Sequence, residues 1–118
     1  MKAVISVARK GSIFQSVEKQ LAAARQGRSL DFHLSFESAR SLFSELTPAR
    51  LDLLDTLRRV GPCSVYALAK ASERNYSNVH TDISRLEELG LVERSEDDNT
   101  VSVPFEAIEI LVPLAQVA

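Results

Sequence analysis

The residues with the clearest potential for chemistry lie in a short polar stretch between residues 75 and 86. At 100° per residue, Val79, Ile83 and Leu86 share one face of a helix, and polar side chains occupy the opposite face and its shoulders. Those polar side chains are Ser77, Asn78, His80, Thr81, Ser84 and Arg85. Asn pairs with adenine and Arg with guanine through two hydrogen bonds each, and Ser or Thr bonds bases or phosphates. The pattern predicts a helix that reads base edges in the major groove of DNA.

The flanking cations extend this prediction to the sugar-phosphate backbone. Arg85 and Asn78 are the predicted base contacts, and the predicted backbone contacts are Arg74, Ser77, His80, Thr81 and Arg94, with Lys70 as a weaker candidate. Ser84 shares the same face, and a helix N-terminus itself favours phosphate. An ordinary surface helix carries Glu and Lys outward, whereas the outer face here has almost none until Glu87 and Glu88 in the last turn. The alternative is a solvated helix that serves protein contacts alone.

The elements that must position this helix can be predicted from caps and periodicity. Thr47-Pro48 begins a helix that ends at Gly61-Pro62, and Leu51, Leu54, Leu57 and Val60 form its inward face. Ser64 caps a short helix over residues 65–71 with Leu68 inward, and the polar helix follows from about Asn75 to Leu89. Residues 91–103 read as a hairpin with a polar turn at residues 95–99. Helix, short helix, longer helix and hairpin make a helix-turn-helix followed by a wing.

Outside this region the sequence predicts further elements. Residues 1–36 read as a β-α-β unit, with strands at 2–8 and 31–36 and a helix at 12–26, and we expect it to mediate dimerisation. Ser38 caps a helix whose apolar residues Ala39, Leu42, Phe43 and Leu46 have the i, i+3, i+4, i+7 spacing of one inward face. The predicted fold class is therefore α+β, with a winged helix-turn-helix domain at residues 37–104. Residues 105–118 form an apolar tail, either strand or helix, that we expect at an interface.

Composition and charge argue against several classes of protein. The 118 residues carry a net charge of −2, which divides into +5 over residues 1–30 and −7 over residues 31–118. An acidic chain argues against indiscriminate electrostatic binding to nucleic acid. No apolar run approaches the roughly 20 residues of a membrane span, and the start is too short and too soon charged for a secretory signal, so a cytoplasmic location is expected. One cysteine and two histidines are too few for a closed zinc site, and we expect neither a metal nor a cofactor.

Single residues offer weaker interpretations. Cys63 follows Gly61-Pro62 in a loop and is expected to be inert, with a redox sensor as the alternative. Asp82 lies three residues before Arg85, a spacing that favours a helical ion pair. Tyr76 is equally compatible with a backbone contact and with packing under the helix start, and His33 belongs to the exposed side of a strand. No phosphate-binding glycine loop, nucleophile–histidine pair or paired carboxylates indicate an enzyme.

The segment from Ser64 to Arg94, and above all its closing run Leu-Glu-Glu-Leu-Gly-Leu-Val-Glu-Arg, resembles winged-helix regulators of the MarR/ArsR type. Residues 34–50 and Val103-Pro104-Phe105 add a similarity to a small prokaryotic family described as transcriptional regulators or DNA-binding proteins, which covers about residues 30–110. The acidic wing tip, residues 96–99, departs from the pattern because a wing that grips phosphate carries Lys or Arg. Some genes of that family sit beside toxin genes, so the resemblance also implies an antitoxin role.

These observations predict a sequence-specific regulator of transcription that binds double-stranded operator DNA. One recognition helix reads only a few base pairs, and a homodimer reads two half-sites about 34–36 Å apart. We expect an autorepressor of its own operon. The alternative is an antitoxin or protein-interaction module that covers a toxin with its tail or N-terminal unit.

Overall fold

The computed structural model describes residues 1–7 and 31–114. In chain order its elements are β1 (Ala3–Val7), β2 (Phe32–Phe36), α1 (Ala39–Glu45), α2 (Pro48–Val60), α3 (Val65–Ser72), α4 (Tyr76–Glu88), β3 (Glu93–Arg94), β4 (Val101–Ser102) and β5 (Ile108–Leu111). They belong to two compact units, one made of Met1–Glu45 with Phe105–Ala118 and the other of Leu46–Pro104. The predicted helix at residues 12–26 lies outside the described residues.

The first unit contains a parallel sheet with the strand order β2-β1-β5 among the described residues. Ala3 pairs with Phe32 on one side and with Ile108 on the other, so the central strand is β1. Both predicted N-terminal strands are confirmed within one residue at each end, and the tail, for which strand and helix were open, contains the strand β5. α1 packs on β1 and β2, and the Phe32 and Phe105 rings lie 5.4 Å apart. Parallel strands are typical of sheets covered on their faces, and Ala3 and Ile5 are fully buried here.

The second unit is the predicted helix-turn-helix with its wing. Thr47 caps α2 by accepting a hydrogen bond from the Arg50 amide, Pro48 occupies the first turn, and Ser64 caps α3 in the same way. Glu73 turns the chain between α3 and α4 in a left-handed conformation, with φ of 55°. The core of this unit consists of Leu46, Leu53, Leu54, Leu57, Val65, Leu68, Ala69, Val79, Ile83, Leu86, Leu91, Val92, Val101 and Val103. Each helix buries one stripe, so the fold class predicted from the sequence is confirmed.

Two residues that the sequence pattern assigned to buried helix faces are exposed. Phe43 and Val60 are each 51% exposed, although periodicity placed both on apolar faces. Val60 is the last residue of α2, where the helix runs past the core, and Leu53, which the i, i+3 reading skipped, is 1% exposed. The buried stripe of α2 therefore includes adjacent residues, as expected for a face wider than a single row.

The wing is shorter than predicted. β3 and β4 have two residues each and pair antiparallel, whereas Leu91 and Val92, predicted as strand, are buried core residues before it. The backbone of Cys63 exchanges hydrogen bonds with Val101 at 3.2 and 2.8 Å, which ties β4 to the loop between α2 and α3. Partial burial raises the pKa of the Cys63 thiol, and a protonated thiol is a poor nucleophile at neutral pH.

Candidate nucleic-acid interface

The predicted recognition helix exists as α4 and is anchored by the predicted residues. Val79, Ile83 and Leu86 are fully buried. Its N-terminus begins one residue later than expected, because Asn75 is the cap: Asn75 Oδ1 accepts the amides of Ser77 at 2.9 Å and Asn78 at 3.3 Å. The periodicity did not identify this cap, although Asn is among the preferred N-cap residues and the sequence contained that signal.

The opposite face of α4 is largely open to solvent. Ser77, Asn78, His80 and Thr81 are exposed, whereas Ser84 and Arg85 are half-buried on its shoulder. Two of the hydroxyls already donate hydrogen bonds within α4 and its cap. Ser77 Oγ donates to Asn75 Oδ1 at 2.8 Å, and Thr81 Oγ1 donates to the Ser77 carbonyl at 3.0 Å. Each hydroxyl can still accept a hydrogen bond, and the exposed Asn78 side chain can both donate and accept. The structure therefore brings these residues together on one helical surface.

Arg74 lies in an ion cluster beneath this surface. Asp82 binds two arginines, with Arg74 NH2 at 2.7 Å from Oδ2 and Arg50 Nε at 3.0 Å from Oδ1. The predicted pair between Asp82 and Arg85 was wrong, because the Asp82 carboxylate turns toward α2 and the α3–α4 turn. No sequence signal pointed to Arg50, which lies 32 residues from Asp82.

The electrostatics of this cluster favour the ionised carboxylate. Partial burial on its own would raise the pKa of Asp82, but the hydrogen bonds from Arg74 and Arg50 outweigh it and bring the pKa below its ordinary value. The Arg74 NH1 atom is buried without a hydrogen-bond partner among the described residues. The cluster connects α2, the turn and α4, so it holds α4 at a defined angle to its neighbours.

Arg85 and Arg94 form ion pairs at the other end of α4. Arg85 NH1 lies 2.9 Å from Glu88 Oε2, and the two side chains are 39% and 67% exposed. Arg94, at the stem of the wing, donates from Nε to Glu87 Oε1 at 3.1 Å and from NH1 to Asn99 Oδ1 at 3.0 Å. Both arginines predicted at this end are therefore close to the polar face, and each is bound to a neighbouring carboxylate.

An exposed aromatic row crosses from α3 to α4. The rings of Tyr66 and Tyr76 lie 6.5 Å apart, and His80 follows 5.9 Å from Tyr76. Lys70 Nζ stands 4.9 Å from the centre of the Tyr66 ring. Tyr76 is 49% exposed, so it lies on the surface at the helix start. Tyr66 was not singled out from the sequence because its position beside Tyr76 depends on how α3 meets α4.

The wing tip keeps its negative charge. Glu96, Asp97 and Asp98 are all exposed, and the turn closes through Asp98 Oδ1, which accepts from Thr100 Oγ1 at 2.8 Å and from the Thr100 amide at 3.1 Å. These two bonds lower the pKa of Asp98. An anionic turn of this kind is repelled by phosphate.

In residues 1–7 and 31–114, no group of three or more His, Cys, Asp or Glu side chains is arranged to hold a metal ion. Within those ranges, none of the helices combines the length and the apolar character that a bilayer-spanning segment needs.

Comparison with known proteins found a family model that matches this chain. The family model HVO_A0114 matches residues 45–110, which is more than half of the 118-residue chain and includes α2 to β4. The chain belongs to the HVO_A0114 family. Its HVO_A0114 region thus contains the whole helix-turn-helix and the wing.

Comparison with solved structures found one chain of similar structure. It is the solution NMR structure of fragment 1–100 of Mb0332 from Mycobacterium bovis, described as a homodimeric winged helix-turn-helix DNA-binding domain of a possible ArsR-family transcriptional regulator. The identity is 22% and the TM-score 0.47, over 85% of this HVO_A0114 chain and 78% of the other. A comparison with curated proteins found no match.

Proposed function

We propose that this protein is a sequence-specific, double-stranded-DNA-binding regulator of transcription. The observation that carries the proposal is the two-sided character of α4: Val79, Ile83 and Leu86 are fully buried, while the opposite face exposes short polar side chains over its first turns, before Glu88 in the last turn. In a helix-turn-helix, the second helix enters the major groove and the first braces it across the backbone. Uncharged, short side chains let the helix approach base edges closely.

The contacts divide into two kinds. Asn78 and Arg85 read bases, and the sugar-phosphate backbone is bound by Ser77, His80, Thr81, Ser84 and Arg94, with Lys70 beside them. We assign Arg74 first to positioning α4, because its NH2 group is bonded to Asp82 and its NH1 group is buried. The anionic wing tip stands away from the duplex, so the wing contributes through Arg94 at its stem.

The regulator acts as a homodimer on an operator with two half-sites. Exposed apolar residues in the C-terminal segment support this part: Ile110, Leu111, Val112 and Leu114 are between 38% and 84% exposed. β5 is also an edge strand of its sheet among the described residues, and such an edge pairs readily with another chain. Repression of its own operon is the simplest regulatory output of such a dimer.

The alternative use of the same apolar segment is a toxin partner. An antitoxin covers its toxin with an apolar surface, and residues 110–114 provide one. Copurification with the product of the neighbouring gene separates this function from simple repression. A regulator without a toxin purifies alone and still shifts its promoter DNA.

The test is a selection of genomic fragments bound by the purified protein, followed by anisotropy titrations of the selected duplex and a random duplex. Arg85→Ala should cost about 1–3 kcal/mol on the selected duplex and much less on the random one, because a bidentate guanine contact is lost. Arg94→Ala is the matched control, and it should weaken both duplexes alike and reduce the salt slope by about 1. Equal losses on both duplexes for Arg85→Ala would refute the base-contact assignment.

A further inference from the structure

The end of α4 contains two glutamates whose environments differ. Glu88 is exposed and lies on the same side of the helix as Ser77 and Thr81, which come eleven and seven residues before it. Glu87 is half-buried and turns toward the stem of the wing, where it meets Arg94. Of the two, only Glu88 therefore shares the surface that the proposed function places against DNA.

Glu88 holds the arginine that we assign to base reading. Its Oε2 atom accepts from Arg85 NH1 at 2.9 Å, and the side chains are three residues apart on one helix. With 67% of the Glu88 side chain exposed, the pair is well solvated. Such pairs contribute little to stability and exchange partners readily, so a better acceptor can displace the carboxylate.

A correct and an incorrect DNA site offer Arg85 different acceptors in place of the Glu88 carboxylate. At the correct site, guanine supplies two acceptors, O6 and N7, which match the guanidinium fork. At an incorrect site, Arg85 gains at most a phosphate oxygen or a mismatched base edge. The Glu88 carboxylate then keeps its arginine, and its own charge remains close to the phosphates and repels them.

We propose that Glu88 is a specificity-determining residue, which binds Arg85 in the free protein and releases it only to a correctly placed guanine. This inference rests on the proposed function. Its effect is to weaken binding to incorrect DNA more than binding to the operator, so discrimination comes partly from a repulsive element. Glu87 has no such effect, because its partner Arg94 contacts phosphate, which every sequence offers.

The experiment measures Kd for the selected operator and for a random duplex of equal length over a series of salt concentrations. Glu88→Gln should tighten binding to the random duplex by about two- to fivefold and to the operator by less, so that the ratio of the two Kd values falls. Glu87→Gln is the matched control, since it makes the same chemical change one residue earlier. It should change both duplexes by the same factor and leave the ratio unaltered.

A second background tests the dependence on Arg85. When Glu88→Gln is introduced into Arg85→Ala, the residual effect is charge alone, and both duplexes should change by one common factor. The inference is overturned if Glu88→Gln leaves the wild-type ratio intact, or if the ratio falls equally in the Arg85→Ala background. If the wild-type protein does not distinguish the two duplexes at all, the proposed function fails and this inference fails with it.

Discussion

At the scale of the residue, the arginines of the second unit share a chemistry but not a role. Arg74 is bonded to Asp82, whose side chain is only 16% exposed and also binds Arg50. Arg85 and Arg94 pair with more exposed carboxylates at the surface. A partly buried pair that loses one partner leaves a charge without compensation, whereas an exposed pair exchanges easily. We therefore propose that Arg74 and Asp82 stabilise the fold, and that Arg85 and Arg94 bind DNA.

Asp82 should contribute measurably to the stability of the fold. Asp82→Asn should lower the free energy of unfolding by about 1.5–3 kcal/mol, because two charge-assisted hydrogen bonds are weakened. Chemical denaturation at neutral pH measures it. Asp52→Asn is a matched control on α2, where the carboxylate is exposed, and we expect it to change stability by less than about 0.5 kcal/mol. Equal effects of the two variants would contradict the assignment.

The same residue makes the stability depend on pH. Because the pKa of Asp82 is lower in the folded protein than its ordinary value of about 3.9, its contribution is fully present above that value. It is lost as the pH falls through the folded pKa. The free energy of unfolding should therefore decrease more steeply below about pH 4 in the wild type than in Asp82→Asn. Parallel pH profiles for the two proteins would show that the cluster does not favour the ionised form.

At the scale of the element, the position of α4 depends on its ends as much as on its buried stripe. Asn75 closes the N-terminus and contacts the two residues, Ser77 and Asn78, with which the polar face begins. The Asp82 cluster fixes the middle of the helix against α2 and the turn. The cap and the cluster thus determine where the polar face points.

Removal of the Asn75 cap should destabilise the first turn of α4. Asn75→Ala should lower stability by about 0.5–2 kcal/mol, since two helical amides lose their acceptor, and should weaken operator binding by fraying the start of the helix. Thermal unfolding and anisotropy measure the two effects. Asn75→Ser keeps an acceptor and should restore most of both. If Asn75→Ala binds the operator as the wild type does, the first turn of α4 has no part in recognition.

At the scale of the whole molecule, the chain returns to its first strand after completing the helix-turn-helix and the wing. β5 pairs with β1 after the entire second unit has been built, and Ala3 donates its amide to the Ala107 carbonyl at 3.0 Å. Phe105 is 4% exposed in the same unit. The described part of the apolar tail predicted from the sequence is thus divided: its beginning completes a sheet, and Val112 and Leu114 after β5 are exposed.

The exposed C-terminal segment should form part of the homodimer interface. Leu114 is 84% exposed, and Leu114→Asp should convert a dimer at micromolar concentration into a monomer, because a charge is introduced into the apolar surface. Light scattering after size-exclusion chromatography gives the mass. Val60→Asp changes an exposed apolar residue of the second unit and should leave the dimer intact. A wild-type monomer, or a Leu114→Asp dimer, would remove the C-terminal segment from the interface.

Sequence alone determined the local structure where a cap and a buried stripe agree. Thr47-Pro48, Ser64 and the spacing of Val79, Ile83 and Leu86 each act within one or two helical turns, so the helix-turn-helix and its polar face followed from them. The pairing of the long side chains, by contrast, follows from how the elements pack against one another. The Arg50–Asp82 bond and the β1–β5 pairing join residues distant along the chain. Periodicity describes the face of one element, and it contains no information on what another element brings to that face.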